Sequence, residues 1–541
     1  MSNDGKHEAG TGAQSPLLFQ LGPVQDFIAQ ARSTRDMWSG SYLLSWLMAH
    51  AIVAVLEKGA ETVIPAPGPD SNPLVAALRD PGRLADPSRA LISNLPNRCL
   101  LLAPSGREAE IAAAAERAVR AELGQMGEAV WHWLLGKGAD PAWKARWDAQ
   151  IAAFPQMTWA WTPWAPGEPW REACGRVGAL LAARRNTRDF AQWASAEAGV
   201  RKDSLSGKEE VVGTEAFWAK LRQGGRSLFK TSGHAYGAMN LIKRLWVHVN
   251  DADDADYLSS ALHALEGNVR DALRVASLPE IAGRNEPGNN RYVAMLALNG
   301  DRMGERVSQA NTSPEALSRF SARLSSFALD TVRGIVEGHH GELVHAGGDD
   351  VLAILPSTTA IACGRALVAA FSDVMGGGAT ASCGIAVGHE QAPLQMLVRE
   401  ARRMESVAKN RYHRDALAIA LYKRSGEIIE WGCKWGCGAL DLMAEITALV
   451  GDGSLSGRFP CALAGLLAPY ALQGSNDAMK PVIQADVRHV LGRQGIAMNS
   501  DERERLAKKI DAYLETTSSR LDDFIKLFLV ETFINRARGE N

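Results

Sequence analysis

The stretch LVHAGGDDVLAILP, residues 343–356, decides how this chain is read. Two apolar runs flank two glycines and two aspartates, the pattern of a β-hairpin with adjacent carboxylates at its tip. Gly347 and Gly348 are expected to supply the positive φ angles of a tight turn and to leave room for a bulky group near the backbone. Two carboxylates ~5 Å apart at an effective dielectric of ~20 repel by roughly 3 kcal/mol. A divalent cation between Asp349 and Asp350 resolves that cost, and Mg²⁺ or Mn²⁺ held by one or two carboxylates plus substrate phosphates belongs to nucleotide chemistry. A solvated Asp-Asp turn is the competing reading of the bare tetrapeptide.

Working outward, RYVAMLALNGDRMG (291–304) reads as a buried strand ending in a turn. SPEALSRFSARLSSFALDTVRGIVEG (313–338) reads as a helix with Ser313 as N-cap and Pro314 at the first helical position. Leu317, Phe320, Leu324 and Phe327 share one face of it. After the hairpin come a helix (358–375), a strand (379–388), a helix (394–410) and a strand (415–426), which completes a βαββαβ palm-like sheet. In such a sheet the first strand lies beside the hairpin. That order predicts Asn299, the Gly300 carbonyl and Asp301 near Asp349 and Asp350, a second oxygen cluster for metal ions. Lys409, Arg411 and Arg414, between the last helix and strand, are placed to neutralise a triphosphate, although a solvated helix end serves equally well.

The rest of the chain bounds the architecture. At 541 residues it is multidomain, and Lys+Arg 59 against Asp+Glu 61 leaves a net charge of −2, which argues against wholesale coating of nucleic acid. Seven cysteines without paired spacing read as reduced thiols of a cytoplasmic protein. YLLSWLMAHAIVAVL (42–56) carries Ser45 and His50 and falls short of the ~20 residues of a membrane span, so a buried helix is expected. Residues 1–15 read as a disordered tail. Residues 16–165 alternate strand and helix, 166–287 are helix-rich, 288–437 hold the hairpin domain, and 438–541 are mainly helical. The fold class is α+β.

The palm with GGDD resembles the nucleotide-cyclase palm shared by diguanylate cyclases and the large subunit of type III CRISPR complexes. FQLGPVQDFIAQARSTRDMWSGSYLLS (19–45), LPNRCLLLAP, LNGDRMG, HAGGDD and ALYKRSGE match, in order, the large-subunit (Cas-ten) family of type III-B Cmr effectors. The resemblance implies two ferredoxin-like palms, a helical intervening domain and a C-terminal helical domain. It implies partners as well: other Cmr subunits, guide RNA and target RNA, with no membrane. The implied activity is conversion of ATP to cyclic oligoadenylate when target RNA is present. AMP transfer to an acceptor such as S-adenosylmethionine, or a scaffold role with weakened catalysis, are the alternatives. Asp349 and Asp350 would be catalytic and metal-binding, with Gly347, Gly348, Lys409 and Arg411 on the nucleotide and Gly40 and Ser41 of the first palm facing it. A stand-alone diguanylate cyclase is disfavoured by Asp350, where that motif has Glu, and by the extra N-terminal palm.

Three departures from the family pattern stand out. Its usual first-strand D-G-D is here Asn299-Gly300-Asp301, so a neutral amide replaces a carboxylate. Where a zinc knuckle would place two CxxC pairs, Asp203, Ser206, Gly237 and Asn240 stand instead, and no zinc is expected. Cys433 and Cys437 are read as buried free thiols. The sequence opens in the first palm without a histidine-aspartate nuclease segment, so DNA cleavage is not expected.

Overall fold

The computed structural model describes residues 13–80, 86–187, 201–223, 233–246, 275–283, 291–472, 479–517 and 521–537. Residues 1–12 of the expected tail lie outside them, and Gln14 already opens a strand. The chain divides into two compact units. One comprises residues 1–31, 35–274 and 302–329, and the other residues 32–34, 275–301 and 330–541.

The first unit holds an antiparallel sheet of β1 (Gln14–Gly22), β2 (Glu61–Ile64), β3 (Arg98–Pro104) and β4 (Gln156–Trp161), in the order β2-β3-β1-β4. Helix α1 (Thr34–Glu57) connects β1 to β2, and α2 (Glu108–Gly136) connects β3 to β4. That order is the ferredoxin-like βαββαβ arrangement. The edge strand β2 escapes sequence reading because only ETVI is available before Pro65. Helix α3 (Trp170–Asn186) follows β4 and covers one sheet face. Its Trp170, Val177 and Leu181 pack with Leu18, Leu100, Leu102 and Ala160. Leu317 of α4 (Pro314–Ser326) joins the same cluster.

Helix α1 is longer than its apolar run suggests. Among the described residues it is the one helix long and apolar enough to cross a membrane, but 78% of its apolar window is buried inside the protein. Tyr42, Leu43, Trp46 and Leu47 are fully buried on it, so it serves as a core helix. Most of the tryptophans that crowd this region also pack inward; the Trp131 and Trp147 rings lie 5.6 Å apart, and only Trp161 reaches 36% exposure.

The second unit is built on six strands in the order β10-β9-β8-β5-β7-β6. They are β5 (Tyr292–Gly300), β6 (Glu342–Gly347), β7 (Asp350–Pro356), β8 (Ala381–His389), β9 (Ala416–Tyr422) and β10 (Ile428–Lys434). Strands β8-β5-β7-β6 are antiparallel neighbours, whereas β9 runs parallel to β8 and joins it through α6 (Leu394–Asn410). Helix α4, which the chain inserts after β5 but which belongs to the first unit, begins as its sequence dictates, with Ser313 Oγ accepting from Ala316 N at 3.1 Å and Pro314 in the first turn. Helix α5 (Ala360–Met375) links β7 to β8.

Helix α6 buries Leu394, Leu397, Val398, Ala401, Met404 and Ala408 as one stripe. It approaches β8 so closely at Gly384 that a β-carbon there would strike the main chain of Ala401, Met404 and Glu405. This contact fixes the height of α6 above the sheet. Five helices follow β10 among the described residues: α7 (Ala439–Gly451), α8 (Phe459–Leu472), α9 (Lys480–Gln494), α10 (Ser500–Thr516) and α11 (Leu521–Ala537). Helix α11 packs on α8 and on β10.

Candidate functional site

The hairpin tip is a two-residue turn. Gly347 pairs with Asp350, so Gly348 and Asp349 form the loop, with Gly348 at φ +75°. A positive φ at the first loop position and not at Asp349 in the second is the type II′ pattern, which fits the right-handed twist of the flanking strands. Gly347, by contrast, closes β6 without a positive φ, and a β-carbon on it would run into the His345 ring. Of the two glycines expected to turn the chain, Gly348 alone takes a positive φ.

Strand β5 ends beside this turn. Asn299 stands directly opposite Asp350, and Gly300 N donates to the Asp349 carbonyl at 3.1 Å. Asn299, Gly300, Asp349 and Asp350 therefore share one end of the sheet, as the strand order predicts. Their side chains, however, are engaged differently from the expected metal cluster. Both Asp350 oxygens accept from Arg402, at 2.5 and 3.0 Å, in a forked pair whose side chains are about a quarter exposed. Asn299 Oδ1 accepts from Lys409 Nζ, which also pairs with Glu405 at 2.9 Å. The electrostatic cost of two adjacent acids is thus met from within by a guanidinium.

The two acids consequently diverge. Burial pushes the Asp349 carboxyl up to about 6, and the charge of Asp350 adds to that. Burial also works against the charge of Asp350, but Arg402, with His345 and Lys409 behind it, holds its carboxyl below the ordinary range.

Asp301 is not a free ligand. It is 3% exposed and accepts from Ser382 Oγ at 2.7 Å, Thr380 Oγ1 at 2.9 Å and Asp415 N at 2.9 Å. It thereby stitches the end of β5 to the start of β8 and to the turn before β9. That turn carries three consecutive left-handed residues, His413, Arg414 and Asp415. Such residues cost roughly 1–2 kcal/mol each relative to right-handed backbone, so the surroundings must hold them. Lys434 Nζ does so by donating to the His413 and Arg414 carbonyls at 2.9 and 2.6 Å.

Arg411 is likewise committed elsewhere. It pairs with Asp523 of α11 at 2.9 Å, whereas Lys409 reaches Asn299, the residue opposite Asp350. Arg402 and Glu405 are the residues that sequence reading missed. Residues 402, 405 and 409 lie at i, i+3 and i+7 on one face of α6, so the placement of Lys409 carried the signal.

These side chains do not fit a two-ion centre as folded. Asp301 and Asn299 are engaged by protein donors and Asp350 by Arg402, which leaves Asp349 as the carboxylate with no cation paired to it at contact distance among the described residues. Among the described residues no cluster of three or more His, Cys, Asp or Glu side chains is arranged to hold a metal ion.

The family model for the Cas10/Cmr2 second palm domain matches residues 292–418, and that for the CRISPR-associated protein Cmr2 N-terminal region matches residues 17–128. Both ends of the fold, the first sheet and the second palm, are thus similar to domains of the Cas10/Cmr2 family. A curated family relative, the CRISPR system Cmr subunit Cmr2 of Pyrococcus furiosus, is 22% identical over 91% of this chain and 70% of its own length. Among solved structures, the apo state of a type III-B Cmr-beta complex matches with TM-score 0.69 at 11% identity, over 97% of this chain and 82% of that one. A Csm1-Csm4 cassette in complex with cA4 matches with TM-score 0.50 at 14% identity, over 96% and 70%. At these identities the structural likeness speaks for the fold alone, an α+β architecture with two sheets.

The remaining residues that the family resemblance singles out lie in the first unit. Gly40 packs against the Lys243 side chain, and Ser41, 2% exposed, shares a 2.7 Å hydrogen bond with Ser93. The four positions of the family's zinc knuckle do converge, but around a carboxylate. Asp203 accepts from the main-chain N–H of Leu205 and Ser206, both at 2.7 Å, from Gly237 N at 2.6 Å and from Asn240 Nδ2 at 3.0 Å. This donor set offers neither thiolate nor imidazole.

Proposed function

We propose that this chain is the large subunit of a cytoplasmic type III-B (Cmr) RNA-guided effector, assembled with other Cmr subunits and guide RNA. Target RNA activates its second palm to join ATP into cyclic oligoadenylate. The alternative reaction at the same site is transfer of AMP to another acceptor, such as S-adenosylmethionine. The observation that carries this reading is the meeting of Asp349, Asp350, Asn299 and Lys409 at one end of a Cas10/Cmr2 palm sheet. Related palms support it: Csm1-Csm4 cassettes of the same fold have been solved in complex with cA3 and with one ATP, and a Cmr-beta complex bound to cognate target RNA has TM-score 0.64 to this chain.

In the folded chain the Arg402–Asp350 pair stands where such chemistry needs a free carboxylate. Catalysis therefore requires Arg402 to release Asp350 when the complex is activated. A second reading, a catalytically weakened scaffold, is favoured by Asn299 and by the commitment of Asp301 to Thr380, Ser382 and Asp415.

Assembled complex incubated with target RNA, Mg²⁺ or Mn²⁺ and labelled ATP, with and without S-adenosylmethionine, separates the two. A product that disappears in Asp349→Ala plus Asp350→Ala supports the catalytic reading. No product under any of these conditions supports the scaffold.

A further inference from the structure

The last turn of α3 and the adjoining end of the first sheet gather three arginines that the palm chemistry does not use. Leu18 of β1, Leu100 of β3 and Ala160 of β4 share the sheet face on which Leu181 of α3 packs. Two residues further along that face stand Thr158, Gln20 and Arg98, paired in one row across β4, β1 and β3. Helix α3 runs back along β4 toward this row. Arg176 donates to the Pro163 carbonyl at 2.9 Å, and about two turns later Arg184 lies over the Trp159 ring at 5.1 Å. Arg185 follows Leu181 by four residues, on the helix side turned to the sheet, and so comes to the row that holds Arg98.

The contacts of these arginines are neutral. Arg98 donates to Gln20 Oε1 at 3.4 Å and Arg184 rests on an indole; among the described residues no carboxylate pairs with Arg98, Arg184 or Arg185. Glu116, the acid beside Trp159, accepts from its Nε1 at 3.0 Å instead. Burial first, and then the charge of Arg185, hold the Arg98 guanidinium below its ordinary value. The end of a helix attracts cations, which accounts for Arg184 and Arg185 but not for Arg98, which stands on a strand. All three side chains are exposed. Like charges gathered at the surface without a counter-charge from the protein are the footprint of an anionic partner.

The aromatic neighbours narrow the partner. Trp161, 36% exposed, lies two residues, or ~7 Å, beyond Trp159 on the same side of β4. Guanidinium groups for phosphates, an open indole for a base and the Gln20 amide between them are the parts with which single strands are held. An acidic peptide would be served by the cations alone. We propose that Arg98, Arg184 and Arg185 form a docking surface for the phosphodiester backbone of single-stranded RNA, with Trp161 stacking on a base. The assignment rests on the RNA-guided part of the proposed function and is independent of the acid pair in the second palm.

The test is an anisotropy titration of the purified full chain with a short fluorescein-labelled oligouridylate over a range of salt. For a single strand, the logarithmic slope of affinity against salt is about −0.7 per phosphate neutralised. Arg98→Gln with Arg184→Gln and Arg185→Gln is therefore expected to make the slope shallower by about 2 and to weaken binding roughly 100-fold near 0.1 M salt. The corresponding triple Arg→Lys variant keeps the charges and should keep the slope. Trp161→Ala should weaken binding about 5- to 150-fold with the slope unchanged. Arg107→Gln with Arg333→Gln and Arg365→Gln removes the same charge from arginines already paired with carboxylates and should match the parent. A parent that does not bind the oligouridylate overturns the proposal, as does a slope that stays unchanged in the first variant or shifts equally in the last. If the first variant binds RNA as the parent does but no longer assembles with other subunits, the surface serves a protein partner and the proposal fails. If oligothymidylate shows the change in slope and oligouridylate does not, RNA is the wrong strand. An assembled complex that purifies without guide RNA would instead count against the functional reading, whatever the salt slope.

Discussion

Replacing Arg402 by Gln tests the electrostatics of the palm most directly. The guanidinium meets both Asp350 oxygens at 2.5 and 3.0 Å, with the two side chains 25% and 24% exposed. Opposite unit charges with centres ~4 Å apart attract by about 4 kcal/mol at an effective dielectric of ~20 and by about 1 kcal/mol in bulk water. Partial exposure and the entropy of holding a long side chain reduce the net value to about 2–3 kcal/mol. Any divalent ion that engages Asp350 must displace this pair and forgo that free energy. Arg402→Gln removes the charge, keeps a hydrogen-bonding side chain of comparable reach, and should raise Mn²⁺ affinity roughly 30- to 150-fold. Loss of the free Mn²⁺ electron paramagnetic resonance signal measures it on the purified chain. The urea midpoint of the second unit should fall in Arg402→Gln and largely recover in Arg402→Gln with Asp350→Asn, since the double variant leaves no unpaired charge. An affinity for Mn²⁺ within about threefold of the parent would refute the account, because an ion would then be engaging the site without competing with Arg402.

Other expectations follow from the same geometry. Asn299→Asp adds a carboxylate opposite Asp350 and within reach of Lys409, and should tighten Mn²⁺ binding in the same assay; an unchanged titration would count against the strand-end placement. Asp301→Ala strips three donors of a buried acceptor and should cost about 3 kcal/mol in urea unfolding of the second unit, with Asp301→Asn costing less. Gly384→Ala forces a β-carbon into the main chain of α6, and should destabilise by about 3 kcal/mol or more and displace Arg402, Glu405 and Lys409 together. In the first unit, burial first and the charge of Asp203 second raise Glu209 to about 7, with Lys208 and Lys243 opposing. The sign follows from linkage: the folded state holds the proton more tightly, so the contribution of Glu209 is fully present below about 4.5 and is lost as pH rises through about 7. Over that range the parent should lose about 3 kcal/mol relative to Glu209→Gln, as read from urea midpoints at pH 5 and pH 8.

How much of this was legible in the sequence differs by level. The second palm was readable because its strands are long apolar runs and its helices carry explicit signals, such as Ser313 and Pro314 opening α4 and the buried stripe from Leu394 to Ala408 on α6. Short elements that depend on partners were not: β2 has four residues, and β10 is a strand because β9 pairs with it along its whole length. The co-location of Asn299 with Asp350 followed from strand order alone. What each side chain does there did not, because it depends on which donors arrive from elsewhere in the chain. Asp301 looks like a metal ligand in LNGDRMG, and only the folded chain brings Ser382 and Asp415 to it from more than eighty residues away.

The same reasoning explains why an adjacent acid pair was a sound guide to place and a poor guide to occupancy. Repulsion between Asp349 and Asp350 demands positive charge, but it does not specify whether that charge is an ion or a side chain. Helix α6 supplies the answer, because the close approach at Gly384 sets its height and the i, i+3, i+7 spacing turns Arg402, Glu405 and Lys409 toward the hairpin tip. Glu405 accepts from both cations, with Arg402 at 3.5 Å and Lys409 at 2.9 Å, and so holds them side by side over the two sequence motifs. A change that moves α6 would withdraw both positive charges at once, uncovering Asp350 and Asn299 in a single motion. The acid pair would then need a cation from solution, which makes the seat of α6 on β8 the natural control point for whether this palm binds metal at all.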